Sequence, residues 1–361
     1  MTQKKKITLQ MIADELQLSL HTVSKALRGL PGMSEETRHE VAVAARRLGY
    51  RTKAQLHSLN VDHIPLYPLN KRRFKLIVTS DASASRLNQL LLQGVQEKLA
   101  EHGHTGEMVM LPPALNSQAA IELWAEQHDL AFADGLFLLP MILPQVEQML
   151  LHLPLPRILF NFPPADDPEV DCVIWDIEGA VRQSVRHLLD NGHRRIVYIG
   201  NTSRFRGFGL RWEAFSDTMR EAGLPVSPEQ HITAGFSGKG SWVRNVQKHL
   251  ADSDATAILN GVHQHAAWIY HVCSSIGKSI PRDLSLVSIQ HEEDAFVPQL
   301  SRPVLPIYET GMRGAERMLW RLANPSQPYE HIYLQGTFVN GNTVRQIRAD
   351  RSARSQKDRA K

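Results

Sequence analysis

The stretch Ile7-Thr-Leu-Gln-Met-Ile-Ala-Asp-Glu-Leu-Gln-Leu-Ser-Leu-His-Thr-Val-Ser-Lys-Ala-Leu-Arg28 contains two short helical patterns separated by a break. Thr8 and Ser19 are residue types that cap helix N-termini, and apolar residues recur on one face of each segment that follows. Ser34 starts a third helical pattern that ends near Gly49. Two short helices joined by a tight turn and braced by a third predict a helix-turn-helix unit in residues 1–50.

The second predicted helix has a polar outer side that suits contact with DNA. In a helix-turn-helix unit, this helix enters the major groove by its N-terminal end and reads base edges. The side chains on its exposed side are Leu20, His21, Ser24, Lys25 and Arg28. A small three-helix bundle with a polar surface has the same pattern, so these residues alone do not establish DNA binding.

Charge is unevenly distributed along the 361 residues, whose net charge is +4. Residues 1–60 and 345–361 each carry a net charge of +5, whereas residues 74–344 carry −8. A basic N-terminal segment indicates contact with a polyanion, here nucleic acid. Residues 345–361 contain few apolar residues, which favours a solvated, disordered tail over a second DNA contact.

Composition excludes several classes of protein. Two cysteines cannot form a disulfide framework, and the longest apolar run, 136–143, is far shorter than the about 18 residues of a transmembrane helix. The N-terminus shows no secretory signal, so we expect a cytoplasmic protein with no membrane partner. No catalytic motif stands out, and His263, His265 and His291 lack further metal ligands at a familiar spacing. We therefore expect neither an enzyme nor a bound metal or cofactor.

Short apolar segments typical of buried strands alternate with helical patterns after residue 74. The predicted strands are 75–79, 135–139, 157–160, 195–199, 255–259 and 285–289, and the predicted helices are 87–102, 119–128, 144–152 and 178–191. This alternation predicts an α/β core with parallel strands. Its length of about 270 residues suits two lobes better than one sheet.

Residues 7–28, Ser34-Glu-Glu-Thr-Arg38 and Leu48-Gly-Tyr50 closely resemble the DNA-binding headpiece of the LacI/GalR family of bacterial repressors. Residues 191–200, 210–215 and 280–287 are similar, more weakly, to motifs in the core of that family. The resemblance implies an all-α headpiece and a periplasmic-binding-protein-like core of two Rossmann-like lobes, with a ligand cleft at the carboxyl ends of the strands. It further implies a homodimeric regulator, most often a repressor, of a pseudo-palindromic operator, controlled by a small-molecule effector.

The same resemblance divides the chain after the headpiece. Residues 51–73 match a hinge helix and linker, in which Leu59 would insert between base pairs of the minor groove. Thr52 replaces a proline that is usual there, so a simple linker is the alternative. The core, 74–344, divides into one lobe of 74–175 plus 305–325 and another of 176–304 plus 326–344, and 345–361 form the tail.

Site residues follow from the same resemblance. The predicted DNA contacts are Thr8, Ser19, Leu20, His21, Thr22, Ser24, Lys25, Arg28 and Leu59. The predicted effector contacts are Asp81, Asn161, Arg204, Arg206, Arg211, Phe236, His263 and Gln290.

The predicted effector pocket departs from the usual family pattern. Asn161 and Gln290 stand where family members often have aspartate, which disfavours a plain sugar, whereas the arginines suit a carboxylated or phosphorylated ligand. The alternative is that these residues are structural and that the pocket has lost its ligand. A solute-binding protein without DNA function is the competing class, and an enzyme with a regulatory headpiece has no motif in its support.

Overall fold

The computed structural model contains three N-terminal helices and an α/β core. It describes residues 7–27, 30, 32–48, 50, 71–79, 85–113, 115–164, 169–202, 205–234, 238–262, 266–289, 297 and 299–347. The α-helices are α1 Leu9–Leu16, α2 Leu20–Leu27, α3 Glu35–Leu48, α4 Ser85–Glu101, α5 Gln118–Gln127, α6 Pro144–Leu151, α7 Ile177–Asp190, α8 Arg206–Glu221, α9 Lys239–Asp252, α10 Ala266–Ser275 and α11 Ile307–Ala323. The strands are β1 Arg73–Thr79, β2 Thr105–Leu111, β3 Gly135–Leu138, β4 Arg157–Leu159, β5 Asp171–Trp175, β6 Ile196–Ile199, β7 Ala257–Asn260, β8 Ser285–Ser288, β9 Arg302–Val304, β10 His331–Leu334 and β11 Thr337–Val339.

Helices α1, α2 and α3 enclose a small core of their own, which confirms the predicted headpiece. Ile12, Val23 and Val41, one from each helix, are fully buried in this core. Apolar residues on one face of each short helix pack against the other two helices, since no single helix of eight residues is stable alone. The headpiece is therefore a folded unit with its own hydrophobic core.

A six-stranded sheet forms the centre of the first lobe. Its strand order is β10-β5-β4-β3-β1-β2, and every neighbouring pair is parallel. Strand β3 is buried along its whole length, as expected for a parallel strand covered on both faces. The predicted α/β core is thereby confirmed.

A second parallel sheet, β6-β7-β8, forms the centre of the other lobe, and β9 pairs with β11 in an antiparallel ribbon. The chain passes from the first sheet to the second through α7 and returns through β9 and α11. Strand β10 lies beside β5 in the first sheet, so the prediction that residues 326–344 belong to the second lobe is wrong for this strand. None of the described helices combines the length and apolar character needed to cross a membrane.

The position of β10 follows from a buried ion cluster at the start of β5. The Asp171 carboxylate is fully buried and accepts hydrogen bonds from Arg317 Nε at 2.8 Å and Arg321 Nε at 2.6 Å. It also accepts the backbone N–H of Glu330 at 2.9 Å, just before β10 begins. Arg321 Nη1 donates to the carbonyl of Gln327 at 2.6 Å. The cluster therefore holds the connection between α11 and β10 against β5.

We expect Asp171→Asn to destabilise the core. The change removes the negative charge that compensates two buried guanidinium groups, and breaking a buried ion pair costs about 3–5 kcal/mol. Thermal unfolding followed by circular dichroism should show a lower melting temperature. Asp217→Asn, which removes an exposed carboxylate paired with Arg220, is the matched control and should have little effect. Equal melting temperatures for the two variants would contradict this role of Asp171.

Two histidines, one in each lobe, are held in the neutral form. His104 Nδ1 accepts the backbone N–H of Arg72 at 3.2 Å, and His231 Nδ1 accepts that of Tyr198 at 3.1 Å. Burial lowers the pKa of both imidazoles to about 4, with smaller contributions from the charges of Arg72 and His249 respectively. Protonation would also remove the acceptor that each backbone N–H requires.

These two histidines predict a loss of stability in mild acid. In the unfolded chain, histidine has a pKa of about 6.5, so below this pH the unfolded state binds more protons than the folded state. The melting temperature should therefore fall as the pH decreases from about 6.5 towards 4. In His231→Asn, an amide oxygen can accept the Tyr198 N–H without titrating, so the fall should be shallower. An equally steep fall in this variant would show that other groups cause it.

Candidate functional site

The turn between α1 and α2 is fixed by local hydrogen bonds. Thr8 Oγ1 accepts the Met11 N–H at 3.4 Å and caps α1, and Ser19 Oγ accepts the Thr22 N–H at 3.0 Å and caps α2. Gln17 ends α1 with a φ of 54°, and this left-handed residue reverses the chain within a few residues. These contacts set the angle at which α2 projects from the headpiece.

Helix α2 has one buried face and one exposed face. Val23, Ala26 and Leu27 are buried in the headpiece core. Leu20, at the start of the helix, is 47% exposed, and His21 beside it is exposed as well. Thr22, Ser24 and Lys25 are partly buried. The N-terminal end of α2 thus presents side chains suited to contacts with base edges and phosphates.

The second candidate site lies where the lobes meet. Asn161 and Phe162 follow β4 of the first lobe, and Arg206 begins α8, which follows β6 of the second lobe. Arg206 donates to the Phe162 carbonyl from Nε at 3.0 Å and from Nη2 at 2.9 Å. Segments at the carboxyl ends of strands in the two sheets are therefore in direct contact, as expected for a two-lobed α/β core.

A buried carboxylate joins the two predicted residues Asn161 and Arg206. Glu147 lies in the first turn of α6 and its side chain is only 2% exposed. Its Oε1 accepts from Arg206 Nη2 at 2.5 Å, and its Oε2 accepts from Asn161 Nδ2 at 2.7 Å. Asn161 Oδ1 in turn accepts the Phe162 N–H at 2.9 Å. The polar groups of Asn161 and part of the Arg206 guanidinium are thus bound within the protein.

Phe162 and Gly207 form an apolar contact beside this ion pair. A Cβ atom at Gly207 would lie 2.8 Å from Phe162 Cε2, which is closer than van der Waals contact. The ring of Phe162 also stacks against Tyr333 of β10, with centroids 6.4 Å apart. Glycine at position 207 therefore allows α8 to approach the first lobe closely.

Arg211, also on α8, lies deeper in the second lobe. Its Nη1 donates to the Gly261 carbonyl at 2.8 Å, and its guanidinium lies 5.0 Å from the centre of the Phe208 ring. Among the described residues, its buried Nε and the buried hydroxyl of Tyr198 have no hydrogen-bond partner. Burial lowers the pKa of Arg211 to about 10 and raises the pKa of Tyr198 to about 12. Arg211 is thus a buried cation at the carboxyl ends of β6 and β7.

Several predicted site residues lie outside the described residues. They are Arg28, Leu59, Asp81, Arg204, Phe236, His263 and Gln290. The same holds for the hinge prediction at residues 51–70 and for the tail beyond residue 347. Within the described ranges, no group of three or more histidine, cysteine or acidic side chains is arranged to hold a metal ion.

A groove of about 930 Å³ opens elsewhere on the second lobe. Arg195 directly precedes β6 and Ala255 lies two residues before β7, so part of the groove lies at the amino ends of these strands. The lobes meet at the opposite, carboxyl ends. The groove contains none of the predicted effector residues and is separate from the contact around Glu147.

Sequence reasoning did not identify Glu147, Phe162, Tyr198 or Gly207. Glu147 looks like an ordinary acidic residue in the first turn of a helix, where it complements the helix dipole. The signal for its burial in the sequence is the presence of the apolar residues Val146 and Leu150 on the same helix. Its partner Arg206 is 59 residues away along the chain, and sequence periodicity does not reveal such pairs.

Comparison with known proteins extends over nearly the whole chain. A profile of the periplasmic binding protein-like domain matches residues 185–344. The chain is 25% identical over 347 residues to the HTH-type transcriptional repressor PurR of Escherichia coli O1:K1, which covers 93% of this chain and 96% of that protein. It is 23% identical over 322 residues to catabolite control protein A of Priestia megaterium, covering 88% of this chain and 93% of that protein.

Two solved structures share the fold. They are the transcriptional regulator CelR in complex with cellobiose, at 20% identity, and the Lac repressor dimer bound to operator and the anti-inducer ONPF, at 17% identity. Each gives a TM-score of 0.65 and covers 94% of this chain and 100% of the other. These structures show the two-lobed fold with its headpiece, and the names of the sequence relatives agree with the resemblance of residues 7–50 to the LacI/GalR family.

Proposed function

We propose that this chain is a sequence-specific, DNA-binding transcription regulator that acts in the cytoplasm as a repressor. It binds a pseudo-palindromic operator as a homodimer and responds to a small molecule held between its lobes. The homologues are named as transcriptional repressors and regulators, and the Lac repressor structure is of a dimer on its operator. These relatives support the proposal, as does the net charge of +5 in residues 1–60.

The observation that carries the proposal is the two-faced helix α2. Its inner face is buried in the headpiece core, while Leu20 and His21 are exposed at its N-terminal end. Recognition helices approach base edges by this end. A solute-binding protein without DNA function would not require such a headpiece. No observation favours that alternative, and none favours an enzyme.

Control by a ligand requires that the two lobes have more than one arrangement. An effector shifts operator affinity only if it binds one arrangement more tightly than the other. Arg206 and Arg211 lie on the same helix, α8, and both interact with residues at the carboxyl ends of strands. A ligand contacting Arg211 in the second lobe and Asn161 in the first would therefore respond to movement between the lobes.

Selection of bound sequences from a random DNA library tests the proposal directly. We expect the full-length chain to enrich two inverted half-sites, because a two-fold symmetric dimer requires a repeated sequence. Affinity for the selected site should fall by about 10³-fold or more between about 50 and 200 mM salt, because the release of counterions from the phosphates, which favours binding, gains less free energy at higher salt. Recovery of unenriched sequences would contradict the proposal.

Substitutions on α2 should separate base contacts from phosphate contacts. We expect Lys25→Ala to change which base is preferred at one position of each half-site, with a loss of about 1–3 kcal/mol for the original base. Thr22→Val should weaken all sequences alike, because the predicted partner of Thr22 is a phosphate. Fluorescence anisotropy with single-base variants of the selected site measures both effects.

A charge-matched control distinguishes these effects from a general loss of positive charge. Lys248→Ala removes a lysine that lines the groove of the second lobe, far along the chain from the headpiece, and should leave both affinity and base preference unchanged. If Lys25→Ala behaves like this control, Lys25 does not contact the operator.

A further inference from the structure

An acidic ligand would need an unpaired positive charge where the lobes meet. The arginine in the contact between the lobes is already paired with a carboxylate of the protein. The sequence places several arginines at the cleft and thereby suggests a site for anions. Arg206 already has a carboxylate partner, since Glu147 Oε1 lies 2.5 Å from its Nη2. The positive charge that an anionic ligand would use is thus neutralised from within the protein.

We propose that Glu147 is a specificity-determining residue that excludes the anionic groups of a ligand from Arg206. The proposal rests on the proposed function, because it names the effector groups that the same site excludes. Glu147 also joins α6 of the first lobe to α8 of the second, so it connects the lobes.

The burial of Glu147 makes this exclusion strong. Its side chain is 2% exposed, whereas that of Arg206 is 25% exposed. An anion that displaced Glu147 from Arg206 would leave the carboxylate buried with Asn161 Nδ2 as its remaining described partner. Leaving one member of a buried pair uncompensated is strongly unfavourable. The ligand would have to supply this free energy in addition to its own desolvation.

The remaining contacts keep Arg206 in place for Glu147. Two bonds to the Phe162 carbonyl, from Nε at 3.0 Å and from Nη2 at 2.9 Å, fix the guanidinium orientation. Phe162 is itself held by its N–H bond to Asn161 Oδ1 and by close packing against Gly207. Arg211 is bound to the Gly261 carbonyl, and its buried Nε has no hydrogen-bond partner among the described residues. A neutral oxygen acceptor on a ligand would satisfy that donor without an added charge.

Calorimetric titration with inorganic phosphate tests the proposal, using the full-length chain without DNA. We expect no saturable binding by the unmodified protein and saturable binding by Glu147→Gln, which keeps a hydrogen-bond acceptor for Asn161 but frees the Arg206 charge. The phosphate affinity of Glu147→Gln should exceed any weak binding by the unmodified chain at least about tenfold. The double variant Glu147→Gln/Arg206→Gln should lose the new binding.

Glu178→Gln is the matched control, because it removes one exposed carboxylate that pairs with Arg182 on the surface of α7. It should gain no phosphate binding. The proposal is overturned if Glu147→Gln gains none either, or if the unmodified protein binds phosphate and Arg206→Gln abolishes that binding. Because no DNA is present, either result leaves the operator-binding proposal standing.

A second measurement keeps the proposal testable if Glu147→Gln does not fold. Hydrogen exchange of the unmodified protein should show the same protection of α6 and of the first turn of α8 with and without millimolar phosphate. In Arg206→Gln, the backbone amides of α6 and of the first turn of α8 should both exchange faster, because the contact between Glu147 and residue 206 joins these two segments. Phosphate-dependent loss of protection in α6 of the unmodified chain would show that anions do displace Glu147.

Discussion

The direction of the parallel strands is the constraint on which the rest of the core depends. Parallel strands end at one edge of their sheet, so the segments that follow β4 and β6 emerge where the two lobes meet. Backbone and side-chain polar groups collect there, and burial requires that each finds a partner. Glu147, Asn161, Arg206 and the Phe162 carbonyl satisfy one another at this place. The lobes are thus connected by polar contacts of defined geometry.

Apolar packing also joins the lobes, since one hydrophobic cluster includes Phe160 and Phe162 of the first lobe and Tyr198 and Phe215 of the second. The polar contacts add directional bonds that a ligand could replace with its own. The Asp171 cluster serves a different purpose, because it ties α11 to β10 within one lobe and touches no residue named for the effector. Of these two buried carboxylates, one stabilises a lobe and the other links two lobes.

Sequence alone predicted the parts of the structure that depend on nearby residues. Thr8, Ser19 and Ser34 cap helices as expected, because a cap and its target N–H are three residues apart. Predicted strands and helices agree with the observed ones to within a few residues where apolar patterns were clear. Strand β10 was assigned to the wrong lobe, since its place depends on Asp171, which is 159 residues before Glu330. Arg206 was named from the sequence, but its neutralisation by Glu147 depends on how the lobes pack.

Hydroxyl-radical footprinting of the full-length chain on its selected operator tests the central claim most directly. A dimer that places α2 of each headpiece in the major groove should protect two patches on one face of the duplex, with centres about 10 base pairs or a multiple of that spacing apart. Protection should disappear when either half-site is scrambled. One continuous or position-independent pattern of protection would contradict the view that this protein reads a two-fold operator through α2.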